Sequence, residues 1–236
     1  MRITTVLFDL DGTLLPMDQD LFVKSYFGKL AEKLAPYGYE PKALMKAIWA
    51  GTGAMVQNDG SKKNEDVFWD VFTGIYGEGV REHMPVFEEF YRNEFGQVQK
   101  VCGFDKRAAQ IVRRLKERGL RVVLATNPLF PAIATQNRMQ WAGLAPEDFI
   151  LYTTYENSSY CKPNPAYYRE ILEKIGAVPK ECVMVGNDVA EDMVTAQMGM
   201  QVFLLTDCLI NKNGEDISQY PNGSFEELSA FLEALE

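Results

Sequence analysis

A single histidine, His83, in 236 residues leaves little room for imidazole chemistry. Metal centres built on histidine triads, and serine or cysteine hydrolases that need a histidine base, lose their usual partners. Cysteine is scarce as well. Cys102, Cys161, Cys182 and Cys208 lie 59, 21 and 26 positions apart with no CxxC pair, too few to staple a chain of this size, so they read as buried thiols. No apolar run approaches the roughly 18 residues of a spanning helix, and Met1-Arg2-Ile3-Thr4-Thr5 leads into a strand-like segment rather than a signal peptide. Positive charge is in deficit: 24 Lys+Arg stand against 33 Asp+Glu, a formal charge of −9, which argues against nucleic acid as a partner. The expectation is a soluble, cytoplasmic protein with no membrane or nucleic-acid partner, in which carboxylates carry any chemistry.

What is present is ordinary globular composition, 47% hydrophobic and 24% charged, in a chain long enough to bury a core and carry an accessory module. Five short apolar runs, residues 3–10, 121–126, 149–154, 182–186 and 201–206, read as buried strands. Amphipathic segments 105–118, 131–142, 165–175 and 189–198 alternate with the later ones, and each stops at a glycine: Gly119, Gly143, Gly176 and Gly199. Strand alternating with helix is the pattern of right-handed βαβ units, so the fold class is α/β, a doubly wound parallel sheet. Asn164-Pro165 reads as an N-cap followed by proline at the first helical position, and Ser224-Phe225-Glu226-Glu227 as a capping box opening a last helix.

The first strand breaks this rhythm, because the next β-rich run begins only at Arg121. Between them, helical spacing recurs in Leu21, Phe22, Tyr26, Leu30 and Leu34, in Leu44, Ile48 and Trp49, in Val67, Phe68, Val71, Phe72 and Ile75, and in Phe87, Phe90, Tyr91 and Phe95. Four helices with their own aromatic core are expected, a module of residues 16–100 inserted into a catalytic unit made of 1–15 and 101–236. Within the insert, Gly51-Thr52-Gly53 reads as a helix break, since Val56 stands where a dinucleotide fingerprint needs its third glycine. His83 reads as a surface or packing residue, and Trp49, Phe68, Trp69, Phe72 and Phe90 as bundle core. Lys62, Lys63, Arg81 and Arg92 read as solvated cations, with a cap cation over an anionic substrate as the alternative.

Four segments at the carboxyl ends of expected strands carry the chemistry. The first is Asp9-Leu10-Asp11-Gly12-Thr13-Leu14. Side chains at i and i+2 of an extended segment point to one side, so Asp9 and Asp11 converge, and such a pair repels itself unless a cation fills the site or one group holds a proton. Gly12 admits a tight turn close to a ligand. An Asp-Gly turn would use the same residues for conformation alone, and an EF-hand lacks its D-x-D-x-D-G register. The second segment, Thr126-Asn127-Pro128, offers a hydroxyl, a carboxamide and free N–H groups before a helix, a phosphate cradle or ordinary capping. The third is Lys162, clamped in Cys161-Lys162-Pro163-Asn164-Pro165. The fourth is Gly186-Asn187-Asp188-Val189-Ala190-Glu191-Asp192, in which Asp188 and Asp192 stand four apart on one helical face and Asp188 could serve as an N-cap. All four gather where ligands bind an open α/β sheet.

With these motifs in order across nearly the whole chain, the sequence resembles the haloacid dehalogenase (HAD) superfamily of aspartate-nucleophile phosphohydrolases. The resemblance implies that the insert is a mobile helical cap. It implies Asp9 as nucleophile forming an aspartyl-phosphate, and Asp11 as general acid/base. Thr126, with Asn127, Gly12 and Thr13, would bind the phosphate, and Lys162 would balance the charge of Asp9 and the phosphoryl oxygens. Mg²⁺ would be held by the Asp9 carboxylate, the Asp11 carbonyl and an acid of the fourth motif. That motif departs from the commonest form, where Asp follows Gly directly. Asp188 is the preferred ligand because a carboxylate suits Mg²⁺ better, Asp192 is the second acid, and Asn187 is the alternative through its carbonyl oxygen. The expected function is Mg²⁺-dependent hydrolysis of a small phosphorylated metabolite, with a phosphomutase of the same superfamily, or a non-catalytic binding protein on the same scaffold, as alternatives.

Overall fold

The computed structural model describes residues 2–235. In chain order its elements are β1 Thr5–Phe8, α1 Gln19–Leu34, α2 Pro41–Val56, α3 Asn64–Tyr76, α4 Met84–Arg92, α5 Lys106–Glu117, β2 Arg121–Leu124, α6 Ala132–Trp141, β3 Leu151–Tyr152, α7 Pro165–Ile175, β4 Cys182–Gly186, the single turn α8 Val189–Asp192, β5 Gln201–Leu205, β6 Asn222–Gly223 and α9 Phe225–Glu233. The strands form one sheet in the order β3-β2-β1-β4-β5-β6, with every neighbouring pair parallel. From β1 the chain first winds outward through β2 and β3, then returns to β4 on the other side. The carboxyl end of β1, between β2 and β4, is therefore the switch point at which such sheets bind ligands.

Period-two alternation divides the side chains of the sheet between two apolar clusters. Val6, Phe8, Val122, Leu124, Val183, Val185, Phe203 and Leu205 face one side, where α5, α6 and α9 cover them. Leu7, Val123, Cys182, Met184, Val202 and Leu204 face the other, under α7 and the turn of α8. Covered on both faces, the sheet is doubly wound, as expected from the sequence. The capping expectations hold: Asn164 accepts from the Ala166 N–H at 2.9 Å, and the Glu227 carboxylate accepts from the Ser224 N–H at 2.7 Å.

Four features differ from the sequence reading. The segment 189–198 is one α-turn followed by 3₁₀ helix at Met193–Met198 rather than a continuous helix. β6, two residues long without a β-branched side chain, has no apolar signature and enters the sheet through its main chain alone. α2 runs unbroken through Gly51-Thr52-Gly53, because the helix formers around it and the buried anchors Ile48 and Met55 outweigh a glycine cost of about 1 kcal/mol each. The aromatic core of the insert is not separate either. Phe72, Phe87 and Phe90 belong to the same apolar cluster as the sheet face, joined through Phe95, whose ring lies 6.3 Å from Phe22 and 5.0 Å from Trp141 of α6.

Candidate active site

β1 continues past its last paired residue with Asp9, whose N–H donates to the Val185 carbonyl at 2.9 Å. Leu10 turns into the core, and Asp9 and Asp11 therefore share the outer side, as their spacing requires. The chain then closes a tight loop, Gly12 N–H to the Leu15 carbonyl at 2.8 Å and Leu15 N–H to the Leu10 carbonyl at 2.8 Å. Gly12 sits at φ +89°, and a Cβ there would overlap the Asn187 carboxamide. The loop turns Thr13 inward, so that its hydroxyl lies 3.2 Å from Asp9 Oδ2 and 3.0 Å from Asn187 Oδ1.

Lys162 is 1% exposed. Its ammonium bridges two carboxylates, Asp9 Oδ1 at 2.8 Å and Asp192 Oδ1 at 2.7 Å. Burial alone would depress its pKa; the Asp192 and Asp9 carboxylates more than reverse that, and the lysine is held well above its ordinary range. Asp192, buried but balanced partly by Lys162, is pushed up to about 7. Its second oxygen accepts the Asp188 N–H at 3.0 Å. The approach depends on Gly186, where a Cβ would overlap the Asp192 carboxylate.

Asp11 has a partner that the sequence reading missed. The Arg138 guanidinium, from α6, donates to Asp11 Oδ2. Arg138 is 1% exposed, lies 4.5 Å over the Phe130 ring and approaches the Thr135 hydroxyl at 3.3 Å. Asp11 Oδ1 is buried without a hydrogen-bond partner. Burial raises the Asp11 pKa, with Asp9 adding to the rise and Arg138 and Lys162 opposing it. Such a carboxyl is suited to carry a proton. The one sequence trace of Arg138 is its place on the α6 face that also carries Ala134, Thr135 and Met139, all buried.

The two candidate ligands of the fourth motif are placed differently. Asp188 Oδ1 caps its own helix, accepting from Ala190 N–H at 2.9 Å and Glu191 N–H at 3.0 Å. Asn187, fixed by its donation to the Cys208 carbonyl at 2.7 Å, is the residue whose side-chain oxygen meets Thr13 beside Asp9. Extended geometry explains the difference: the residue directly after β4 points toward Thr13, and the next one points to the helix start. Glu191, also missed, is tied to the site by Asn127, whose Nδ2 lies 3.2 and 3.1 Å from its two oxygens. Burial raises its pKa. Asn127 also accepts the Lys162 N–H at 3.3 Å, linking the second, third and fourth motifs. Thr126 is buried, its carbonyl held by the hydroxyls of Thr153 at 2.6 Å and Tyr167 at 2.8 Å.

A cavity of about 340 Å³ opens on this cluster, within the ~300–1,000 Å³ of small-molecule sites. Asp11, Asn127 and Glu191 form its floor, and α1 to α4 supply most of its wall. The aromatics of the insert divide accordingly. Phe72 and Phe90 are fully buried core, as expected, whereas Trp49, Phe68 and Trp69 line the cavity. Lys62, Lys63, Arg81 and Arg92 pair with Asp70, Glu170, Asp70 and Glu88 respectively, and none lines the cavity. His83 packs between Tyr37 and Tyr39 and shares a 2.8 Å hydrogen bond with the Tyr39 hydroxyl.

A divalent cation suits the donors present. The Asp9 carboxylate and the Asn187 carboxamide are hard oxygens on either side of Thr13. Four carboxylates, Asp9, Asp11, Glu191 and Asp192, face only two cations, Lys162 and Arg138, an excess of negative charge that such an ion relieves. No group of three or more His, Cys, Asp or Glu among the described residues is placed to hold a metal ion by itself.

A model of the haloacid dehalogenase-like hydrolases matches residues 3–199, a stretch that includes the insert and all four motifs. Pyrophosphatase PpaX of Bacillus cereus (strain G9842) is 28% identical over 197 residues, which is 84% of this chain and 80% of the relative. The 2-haloacid dehalogenase from Pseudomonas syringae pv. Tomato DC3000 superposes with a TM-score of 0.63 at 16% identity, covering 98% of each chain. HAD-hydrolase YfnB from Bacillus subtilis, bound to magnesium, superposes with a TM-score of 0.56 at 18% identity over 98% of this chain and 99% of its own.

Proposed function

Since the chain belongs to the haloacid dehalogenase-like hydrolase family, we propose that it is a Mg²⁺-dependent phosphohydrolase of small soluble phosphomonoesters working through an aspartyl-phosphate on Asp9. The observation that carries the reading is the pairing of Asp9 with a buried lysine while a second carboxyl, Asp11, stands two residues away with a free oxygen. Asp9 Oδ2 attacks phosphorus, and the bond to the leaving oxygen breaks as Asp11 gives that oxygen its proton. Asp11, now ionised, takes a proton from water, and that water attacks the phosphorus of the aspartyl-phosphate, releasing phosphate and regenerating Asp9. Lys162, Thr13 and the Thr126–Asn127 segment hold the phosphoryl oxygens. The Asp9 carboxylate, the Asp11 main-chain carbonyl and Asn187 are the groups that would bind Mg²⁺, which would supply electrostatic relief as a dianionic phosphate ester meets the Asp9 carboxylate. Carbon–halogen displacement has no use for the acid/base at Asp11, which favours phosphorus over carbon as the centre attacked.

The helices of residues 16–100 act in this reading as a cap that excludes bulk water and contacts the organic group, over a core of residues 1–15 and 101–236. No helix among the described residues is long and apolar enough to cross a membrane; a soluble metabolite as substrate and the cytoplasm as site of action belong to the same proposal. The test is phosphate release from acetyl phosphate and p-nitrophenyl phosphate with and without Mg²⁺. Turnover that EDTA abolishes and Mg²⁺ restores is expected, with a loss of at least about a thousandfold in Asp9→Asn. Undiminished turnover by folded Asp9→Asn removes the covalent route, and indifference to EDTA removes the metal.

A further inference from the structure

The cavity wall differs from a site built for a second anion. Besides Asp11 and Glu191 at its floor, the charged residues lining it are Glu65, Glu88 and Lys212. Lys212, from the core, is exposed, and the insert's candidate cations are paired elsewhere. A carboxylate or second phosphate on the substrate would therefore leave water to face the Glu65 side of an aromatic wall, a placement that disfavours its binding. The wall itself is flat-sided: Phe22, Phe68, Trp69, Phe130 and Tyr155 all line it. Trp69 is 4% exposed, and its indole N–H is buried on the side of the Tyr155 hydroxyl, so the ring offers the cavity contact area and no donor. Glu65, half-buried in the first turn of α3, forms no ion pair among the described residues, and burial together with Glu156, Asp66 and Glu88 raises its pKa.

Resting on the phosphohydrolase reading above, we infer that the substrate is the phosphomonoester of an aromatic alcohol with no second anionic group, its ring held between the insert's aromatic side chains. The stacked ring supplies the contact area. Pyrophosphate, phosphoglycolate and bisphosphates fall outside this class, and with them the bisphosphate intermediate that a phosphomutase must bind.

The experiment compares kcat/KM of the full-length, Mg²⁺-loaded protein for 2-naphthyl phosphate, 6-carboxy-2-naphthyl phosphate, phosphoglycolate and pyrophosphate, with acetyl phosphate as the small reference. The naphthyl ester is expected to exceed its carboxylated counterpart by at least about tenfold, and to exceed both phosphoglycolate and pyrophosphate. Glu65→Lys should narrow or invert the first ratio, with Glu65→Gln moving it in the same direction by less. Equal or better turnover of the carboxylated ester, phosphoglycolate or pyrophosphate overturns the inference while acetyl phosphate turnover leaves the hydrolase standing. An unchanged ratio in both Glu65 variants also overturns it. Absence of Mg²⁺-dependent turnover on every compound, acetyl phosphate included, overturns the hydrolase reading and the inference with it.

Discussion

The floor and the wall of the cavity are built by opposite means. On the floor, charged and polar groups hold one another: Lys162 joins Asp9 to Asp192, Asn127 joins Lys162 to Glu191, and Thr13 joins Asp9 to Asn187. These links tie residues from the segments that follow four adjacent strands, β3, β2, β1 and β4, so their positions rest on the sheet register. On the wall, rings pack on rings, for example Phe68 on Phe72 at 5.6 Å and Trp69 on Phe87 at 5.4 Å, and direction comes from shape rather than hydrogen bonds. The floor is thus suited to one reaction on any phosphoryl group, and the wall to choosing what carries that group. A floor substitution should slow small and large esters alike, whereas a wall substitution should act only on esters large enough to reach it.

The sharpest such comparison beyond the nucleophile itself is at Asp11. Asp11→Asn removes the proton carrier from both chemical steps and should lower kcat by about 10²–10⁴-fold, equally for acetyl and naphthyl phosphate apart from the help that a good leaving group gives the first step. Single-turnover kinetics that separate formation and breakdown of the phosphoenzyme check this; a loss confined to the larger ester would move Asp11 from chemistry to recognition.

Arg138→Met comes next. It leaves the Asp11 carboxyl without its one partner and removes a buried charge, so kcat should fall by about tenfold through lost orientation, with KM little changed. Arg138→Lys, which keeps the charge but not the planar fork, should restore only part of kcat. Here a merely structural role is separated by thermal unfolding: a kcat loss fully explained by a smaller folded fraction would deny Arg138 its positioning function.

The same two regions explain what the sequence disclosed. Convergence of Asp9 and Asp11 follows from a period of two, and the switch point follows from strand order, so the floor could be assembled from four motifs. The wall could not. Helical spacing marks Phe68, Trp69 and Phe72 as apolar without saying which of them meets a neighbour and which meets a cavity; only the packing of α2 against α3 and α4 decides that. Arg138 was hidden for a related reason, since an arginine on an amphipathic helix ordinarily marks the solvent side, and its burial depends on a carboxylate 127 residues away. β6 was hidden because main-chain pairing at a sheet edge leaves no trace in two small polar or glycine residues.

The smallest expected effect tests the choice of metal ligand in the fourth motif. Asp188 and Asn187 are neighbours, and carboxylate chemistry alone favours Asp188 as a Mg²⁺ ligand. Geometry assigns its carboxylate to the N–H groups of Ala190 and Glu191, so Asp188→Ala should cost about 1 kcal/mol of stability as a lost cap while leaving the Mg²⁺ concentration for half-maximal turnover near the wild-type value. Asn187→Ala should behave in the converse way, raising that concentration by about 10–100-fold. Asn187→Asp should lower it, because a full charge replaces a dipole at the same position. Titrating Mg²⁺ against acetyl phosphate turnover in the three variants makes the comparison on the floor alone, free of the wall. If Asp188→Ala were the variant that lost its metal response, the direct ligand would be the Asp188 carboxylate, through the Oδ2 that capping leaves free.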